Sequence, residues 1–350
     1  MGPMESFAAA SDAGSVLNLR VGELVEVRSE TEILRTLDSN GMLESLPFMP
    51  EMLKFCGKQF RVYRRADKVC DTIEWKHLRR MKNAVHLEGL RCNGAAHGGC
   101  QAACLIHWKE AWLKRANGSP KQATSVDSSD TEEGRGDSRR HPVCATETLM
   151  EATRVHRPGS DDELFSCQAT EMFRATTSYI HWWNPLQYMR DVRSGNASIS
   201  QVVRGLLVGF FNKFQEANAR LFPRFCLIHG CKKYPFVDNK VRGEAPRTVL
   251  NLQPGEMVEV KSREEIFATL DERDRNHGLR FDGEMLKYCG RRAKVLQVQQ
   301  RIIDEKSRKM LHIKRDCIIL DGVICTGDYH RSCPRSVYPY WREIWLKRVE

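Results

Sequence analysis

The chain has 350 residues, of which 41% are hydrophobic, and a formal net charge of +10 at neutral pH. That length suffices for two or three domains, each with its own core. The longest apolar run, Gly205 to Phe211, is far too short to span a bilayer. The start, Met-Gly-Pro-Met-Glu-Ser, lacks the basic and apolar regions of a secretory signal. Thirteen cysteines is an odd count. Without a signal segment, it argues against a disulfide framework and for reduced thiols or metal ligands. These features together point to a soluble, cytoplasmic protein with no membrane partner.

In chain order, residues 1–20 read as a flexible N-terminus and 21–115 as a first module. The module opens with Gly-Glu-Leu-Val-Glu-Val-Arg-Ser (22–29), a strand, and Ser29 with Glu32 forms a capping box for a short helix carrying Ile33, Leu34 and Leu37. Glu-Met-Leu-Lys-Phe-Cys-Gly (51–57) reads as a short helix stopped by a glycine, which places Cys56 at its end. Strand-like segments follow at 59–65 and 76–91, then a glycine-bearing turn, Cys92 to Cys100, and a closing Trp108-x-Glu-x-Trp112-Leu-Lys-Arg. The two tryptophans are read as core residues, and the alternative is a stacking platform.

Residues 116–142 lack apolar anchors and read as a disordered linker. The central region, 143–253, is expected to be partly helical. Ser198 or Ser200 can cap a helix running to about 221, whose Val202, Val203, Leu206, Leu207, Phe210, Phe211 and Phe214 form a wide apolar face suited to packing on the modules. This region also holds Cys144, Cys167, Cys226, His229 and Cys231. Cys167 is the candidate nucleophile, because a thiol beside a helix start can have a lowered pKa, with His156, His181 and His229 as available bases. Cys226, His229 and Cys231 form a compact candidate for a third metal site.

Residues 254–350 repeat the first module. Positions 22–115 align with 255–348 at a constant offset of 233 without a gap, and over a third of them are identical. Both copies carry the pattern C-x35-C-x4-H-x2-C, as Cys56, Cys92, His97 and Cys100, and as Cys289, Cys325, His330 and Cys333. Three thiols and an imidazole make a closed tetrahedral zinc site. Gly94 and Gly327 fall where a short loop must curl round an ion. Cys70, Cys104 and Cys317 face Ile303, Val337 and Ala84 in the other copy, so they are expected to lie outside the ligand sets.

The fold class expected is α+β: two tandem copies of a small, mostly antiparallel β-barrel-like (SH3-like) module with a short helix, plus a helical central insert. Two Zn²⁺ per chain are expected, with an iron–sulfur cluster as the alternative occupant of such ligands. The charge is spread evenly: 16 Lys/Arg against 12 Asp/Glu in 22–115, and 20 against 16 in 254–350. Clusters such as Arg61, Arg64 and Arg65, or Arg291, Arg292 and Lys294, read first as solvated faces and second as phosphate-facing stripes. No phosphate loop, nucleotide fingerprint or nucleophile elbow is present. The functional expectation is a non-catalytic tandem zinc-binding scaffold for a protein or nucleic-acid partner. The alternative is an iron–sulfur or cysteine-dependent enzyme or electron carrier with its site between the modules.

Overall fold

The computed structural model describes residues 16–73, 78–116, 144–155, 159, 162–221, 228–238, 241 and 243–349. The linker expected at 116–142 therefore falls almost wholly outside the described residues, as do Lys76, His156 and Cys226. The protein is mixed α+β, built from several small antiparallel sheets and few helices.

In the first copy, five strands pair in the order Trp108–Lys109, Ala84–Leu87, Gln59–Arg65, Leu24–Val27, Leu113–Arg115. The two edge strands are joined by the 3₁₀ turn Glu110–Trp112, so the sheet curls until its edges are one turn apart. They do not pair with each other, and no closed barrel is found among the described residues. The second copy has a four-stranded sheet in the order Met310–Leu320, Arg292–Ile303, Met257–Val260, Leu346–Arg348.

Registers agree at the same offset. Leu24 faces Arg61 and Val27 faces Leu113, as Met257 faces Lys294 and Val260 faces Leu346. The fifth strand of the first copy is reduced in the second to a single bridge, Ile318 to Trp341, at the position of Val85 and Trp108.

Local chemistry explains why both copies begin alike. Ser29 and Ser262 accept from Glu32 N and Glu265 N, and each glutamate returns a bond to the cap backbone, forming capping boxes for helices Glu30–Leu34 and Arg263–Phe267. Trp108, Trp112, Trp341 and Trp345 are fully buried, which places them in the core. Trp112 Nε1 donates to Thr36 and Trp345 Nε1 to Thr269, whereas Trp108 Nε1 and Trp341 Nε1 have no hydrogen-bond partner among the described residues. Between the tryptophans, Glu110 accepts from Asn18 N and Leu19 N, and Glu343 from Leu250 N, Asn251 N and Leu252 N. The glutamate of Trp-x-Glu-x-Trp thus pins the chain entering each module.

The central region behaves differently. Ser198 caps the helix Ile199–Leu221 by accepting from Gln201 N, with Gln201 answering to Ser198 N. The apolar face expected to pack on the modules is largely exposed: Ile199, Val203, Leu206, Leu207, Phe210 and Phe214 all face outward. Gln215 is the helix's buried residue, and it donates to the carbonyls of Ile228 and Lys232. The helix therefore rests on the loop 228–238, through these bonds and the Phe211–Phe236 ring contact, rather than on a module core. No described helix is long and apolar enough to cross a membrane.

Candidate metal centres

Two groups of side chains come together at positions related by the offset of 233: Glu51, Cys92 and His97, and Glu284, Cys325 and His330. Within each group the potential ligand atoms all lie within 4.8 Å of one another. Each could hold a metal ion.

The local folding of both centres follows from two short elements. The 3₁₀ helices Pro50–Phe55 and Gly283–Tyr288 carry the glutamate in the first turn and end at Cys56 and Cys289, followed by Gly57 and Gly290 at positive φ. The ligand turn curls at Gly94 (φ 71°) and Gly327 (φ 80°). A Cβ at Gly94 would stand 2.0 Å from the Cys100 carbonyl oxygen, and one at Gly327 would stand 2.7 Å from that of Cys333. Only glycine fits either position.

The first centre is buried, with the Glu51 side chain 5% and the His97 side chain 2% exposed. Cys92 Sγ lies 3.1 Å from Glu51 Oε1 and 3.4 Å from His97 Nε2. Burial, reinforced by the Glu51 charge, pushes the Cys92 thiol well up. Burial lowers the His97 imidazole, against the pull of Glu51. Glu51 Oε2 and His97 Nδ1 are buried without a hydrogen-bond partner among the described residues. Leaving two buried polar atoms unbonded is costly, at about 1–3 kcal/mol each. A divalent cation would satisfy both and lower the thiol.

The second centre has the same ligands in other surroundings. Glu284 is already engaged: Oε1 accepts from Tyr329 N, and Oε2 from Thr326 N, Thr326 Oγ1 and Lys287 Nζ. His330 Nε2 lies 3.3 Å from Asp282 Oδ1, a carboxylate whose counterpart in the first copy is Met49. Burial works to lower the His330 imidazole, but the bond and charge of Asp282, with the Glu284 charge, outweigh it and raise the pKa. His330 is also 37% exposed.

The other cysteines expected as ligands lie at the margins of these groups. Cys56 and Cys289 are half-buried at their helix ends, with thiols raised by burial, and neither belongs to a cluster. Cys100 lines the same cavity of about 60 Å³ as Glu51, Cys92 and His97, and its Sγ accepts from Ile303 N. Cys333 Sγ is 2.9 Å from Cys70 Sγ and accepts from Cys70 N. Burial opposes ionisation of Cys333, but the Cys70 thiol, the Arg335 backbone and the Arg335 charge hold it down to about 6.

Cys167 caps the helix Gln168–Ala175, and burial pushes its thiol up to about 11, opposite to the lowering a helix start can impose. Cys231 is disulfide-bonded, so it is not a free thiolate beside His229. Cys144 is a buried free thiol near Gly41.

Glu51 joins Cys92 and His97, and Glu284 joins Cys325 and His330, at positions that the spacing of Cys and His passed over. Their signal was present, since both open the repeated Glu-Met-Leu-Lys segment. Comparison with protein-family models, curated proteins and solved structures finds no match to the chain.

Proposed function

We propose that the chain is a non-catalytic scaffold of two tandem modules, each stapled by one Zn²⁺ and each of SH3-like type. The observation that carries this reading is the pair of Cys/His/Glu clusters at equivalent positions, the first with orphaned Glu51 Oε2 and His97 Nδ1. Thiolate, imidazole and carboxylate donors suit zinc; the non-catalytic reading requires a fourth protein donor at each centre, for which Cys100 lines the first cavity and Cys333 the second, because three donors leave a position open to water. The curled sheets ending in 3₁₀ turns at Glu110–Trp112 and Glu343–Trp345 support a small barrel-like module.

A polyanionic partner, nucleic acid or an acidic protein face, is favoured by a cleft of about 440 Å³. It is lined by Arg20, Arg80, Lys82, Arg190 and Arg193, with Asp67 its acidic residue. Arg65, which also lines the cleft, is bonded to Glu110 and Asp67, and Arg79 outside it is bonded to Thr176 and Phe173. Affinity for a polyanion at the cleft falls steeply with added salt. Salt-independent binding would remove that partner class.

An iron–sulfur cluster is the second reading, favoured by the thiols of Cys92, Cys100, Cys104 and Cys167 around one cavity. Metal and acid-labile sulfide content of protein purified without oxygen separates the two. Two zinc ions and a colourless solution support the scaffold; iron with sulfide overturns it in favour of the cluster, and no bound metal overturns both.

A further inference from the structure

We infer that the second centre is completed by a ligand from the other copy: Cys70 joins Cys325, His330 and Cys333 around one metal ion. The inference rests on the metal reading above and adds a residue that the repeat pattern excludes, since Cys70 faces Ile303 in the alignment.

Four observations converge on Cys70. Its Sγ is 2.9 Å from Cys333 Sγ, well beyond the about 2.05 Å of a disulfide bond, and both are free thiols. Cys70, Cys325, His330 and Cys333 line a single cavity of about 200 Å³, where Cys325 and His330 already lie within 4.8 Å of each other and the Cys70–Cys333 pair closes on them when an ion binds. The carboxylate that serves the first centre is unavailable in the second, because Glu284 is held by Lys287, Thr326 and Tyr329 while Glu51 keeps a bare oxygen. Finally, the buried Arg335, itself paired with Glu305, donates to the Cys70 carbonyl and to Thr72 beside it and so fixes this hairpin against the ligand turn.

The placement has a geometric cause. The copies exchange equivalent contacts: Cys70 N donates to Cys333 Sγ, and Ile303 N donates to Cys100 Sγ. Thr72 Oγ1 meets Glu305, its own counterpart at the offset of 233. Each ligand turn thus rests on the other copy's hairpin. At the second centre that hairpin presents a thiol; at the first it presents Ile303, packed with Cys100 and Phe165. A metal at the second centre therefore ties the copies to each other, whereas the first closes within its own copy.

The test uses the full chain loaded with ¹¹³Cd, selectively labelled at cysteine, together with metal counting on Cys70→Ser and Cys104→Ser. The expected result is scalar coupling from one cadmium to the β-protons of Cys70, Cys325 and Cys333. Cys70→Ser then retains one tightly bound ion, Cys104→Ser retains two, and Cys70→Asp recovers the second. Coupling to Cys325 and Cys333 without Cys70, or two tight ions in Cys70→Ser, overturns the inference and leaves the metal reading intact. Wild-type protein that takes up no cadmium overturns the metal reading itself. The coupling experiment needs no variant, so a Cys70→Ser chain that fails to fold does not decide the matter.

Discussion

The two centres share residue types and spacing, yet the first is sealed and underbonded while the second is open and crowded with partners. Glu51 and His97 are almost fully buried and each leaves an atom unpaired. Glu284 has its oxygens filled, and His330, more than a third exposed, leans on Asp282. A duplicated ligand pattern therefore does not make duplicated chemistry. The difference lies in what reaches the carboxylate: Thr326, at the position of Asn93, and Lys287 bond Glu284 Oε2, whereas Lys54, the counterpart of Lys287, leaves Glu51 Oε2 bare. Those bonds occupy the second carboxylate and leave the first for an ion.

The strongest way to break the comparison is to remove the metal one centre at a time. Cys92→Ser is expected to cost one ion and unfold the first module, on the scale of the roughly 10 kcal/mol of binding energy that structural zinc supplies to small domains. Cys325→Ser removes the other ion with a smaller loss of protection, because Glu284 and its partners still hold the loop. Hydrogen exchange read separately over 22–115 and 255–348 checks this, and equal losses would mean the centres are equivalent.

The ligand turns offer a second contrast. Gly94→Ala and Gly327→Ala each force a Cβ onto backbone at positive φ, costing about 3 kcal/mol, with Gly94 the worse because its contact is closer. Urea denaturation midpoints measure the order. The glutamates sharpen it further. Glu51→Gln is expected to weaken metal binding at the first centre, while Glu284→Gln leaves the metal count unchanged and loosens the 326–329 loop by about 1–3 kcal/mol.

Acid separates the copies by another route. His86 is buried in the first copy with Nδ1 bonded to the Ile106 carbonyl and Nε2 unpartnered, and burial lowers its pKa to about 3. His107, 4.3 Å away ring to ring, is lowered by burial and by His86. The unfolded chain binds protons at these sites from near pH 6.5 downward while the folded one does not. Stability is therefore full above that pH and falls as pH drops from 6.5 toward 3, by about 2 kcal/mol for His86 at pH 5. The second copy has Ile319 and Tyr340 at these positions. His86→Ile is expected to shrink the drop in melting temperature between pH 7 and pH 5; an unchanged drop would assign acid sensitivity elsewhere. The smallest effect is a control. Ser29→Ala and Ser262→Ala each cost about 1 kcal/mol, because both caps share the reciprocal capping box, to which Ser29 adds one bond to Glu32 Oε2.

The local plan was legible in the chain: the capping boxes, the helix ends at Cys56 and Cys289, the turning glycines and the buried tryptophan pairs. All are short-range patterns, set by propensity and hydrogen bonding within a few residues. The site was half legible. Cys92, His97, Cys325 and His330 converge, but the first-turn glutamates, not the terminal cysteines, face them. Periodicity also placed a helix over 199–221, yet an apolar face records only that it can be buried, not that anything covers it.

The sequence by itself therefore determined the duplication and the pairs Cys92 with His97 and Cys325 with His330, because these depend on spacing along the chain. Tertiary structure decided which carboxylate is left bare, which thiol of one copy reaches the other, and where the central helix lies. Those outcomes depend on contacts between residues as far apart as Cys70 and Cys333, and on the competition for each polar atom by its neighbours in space.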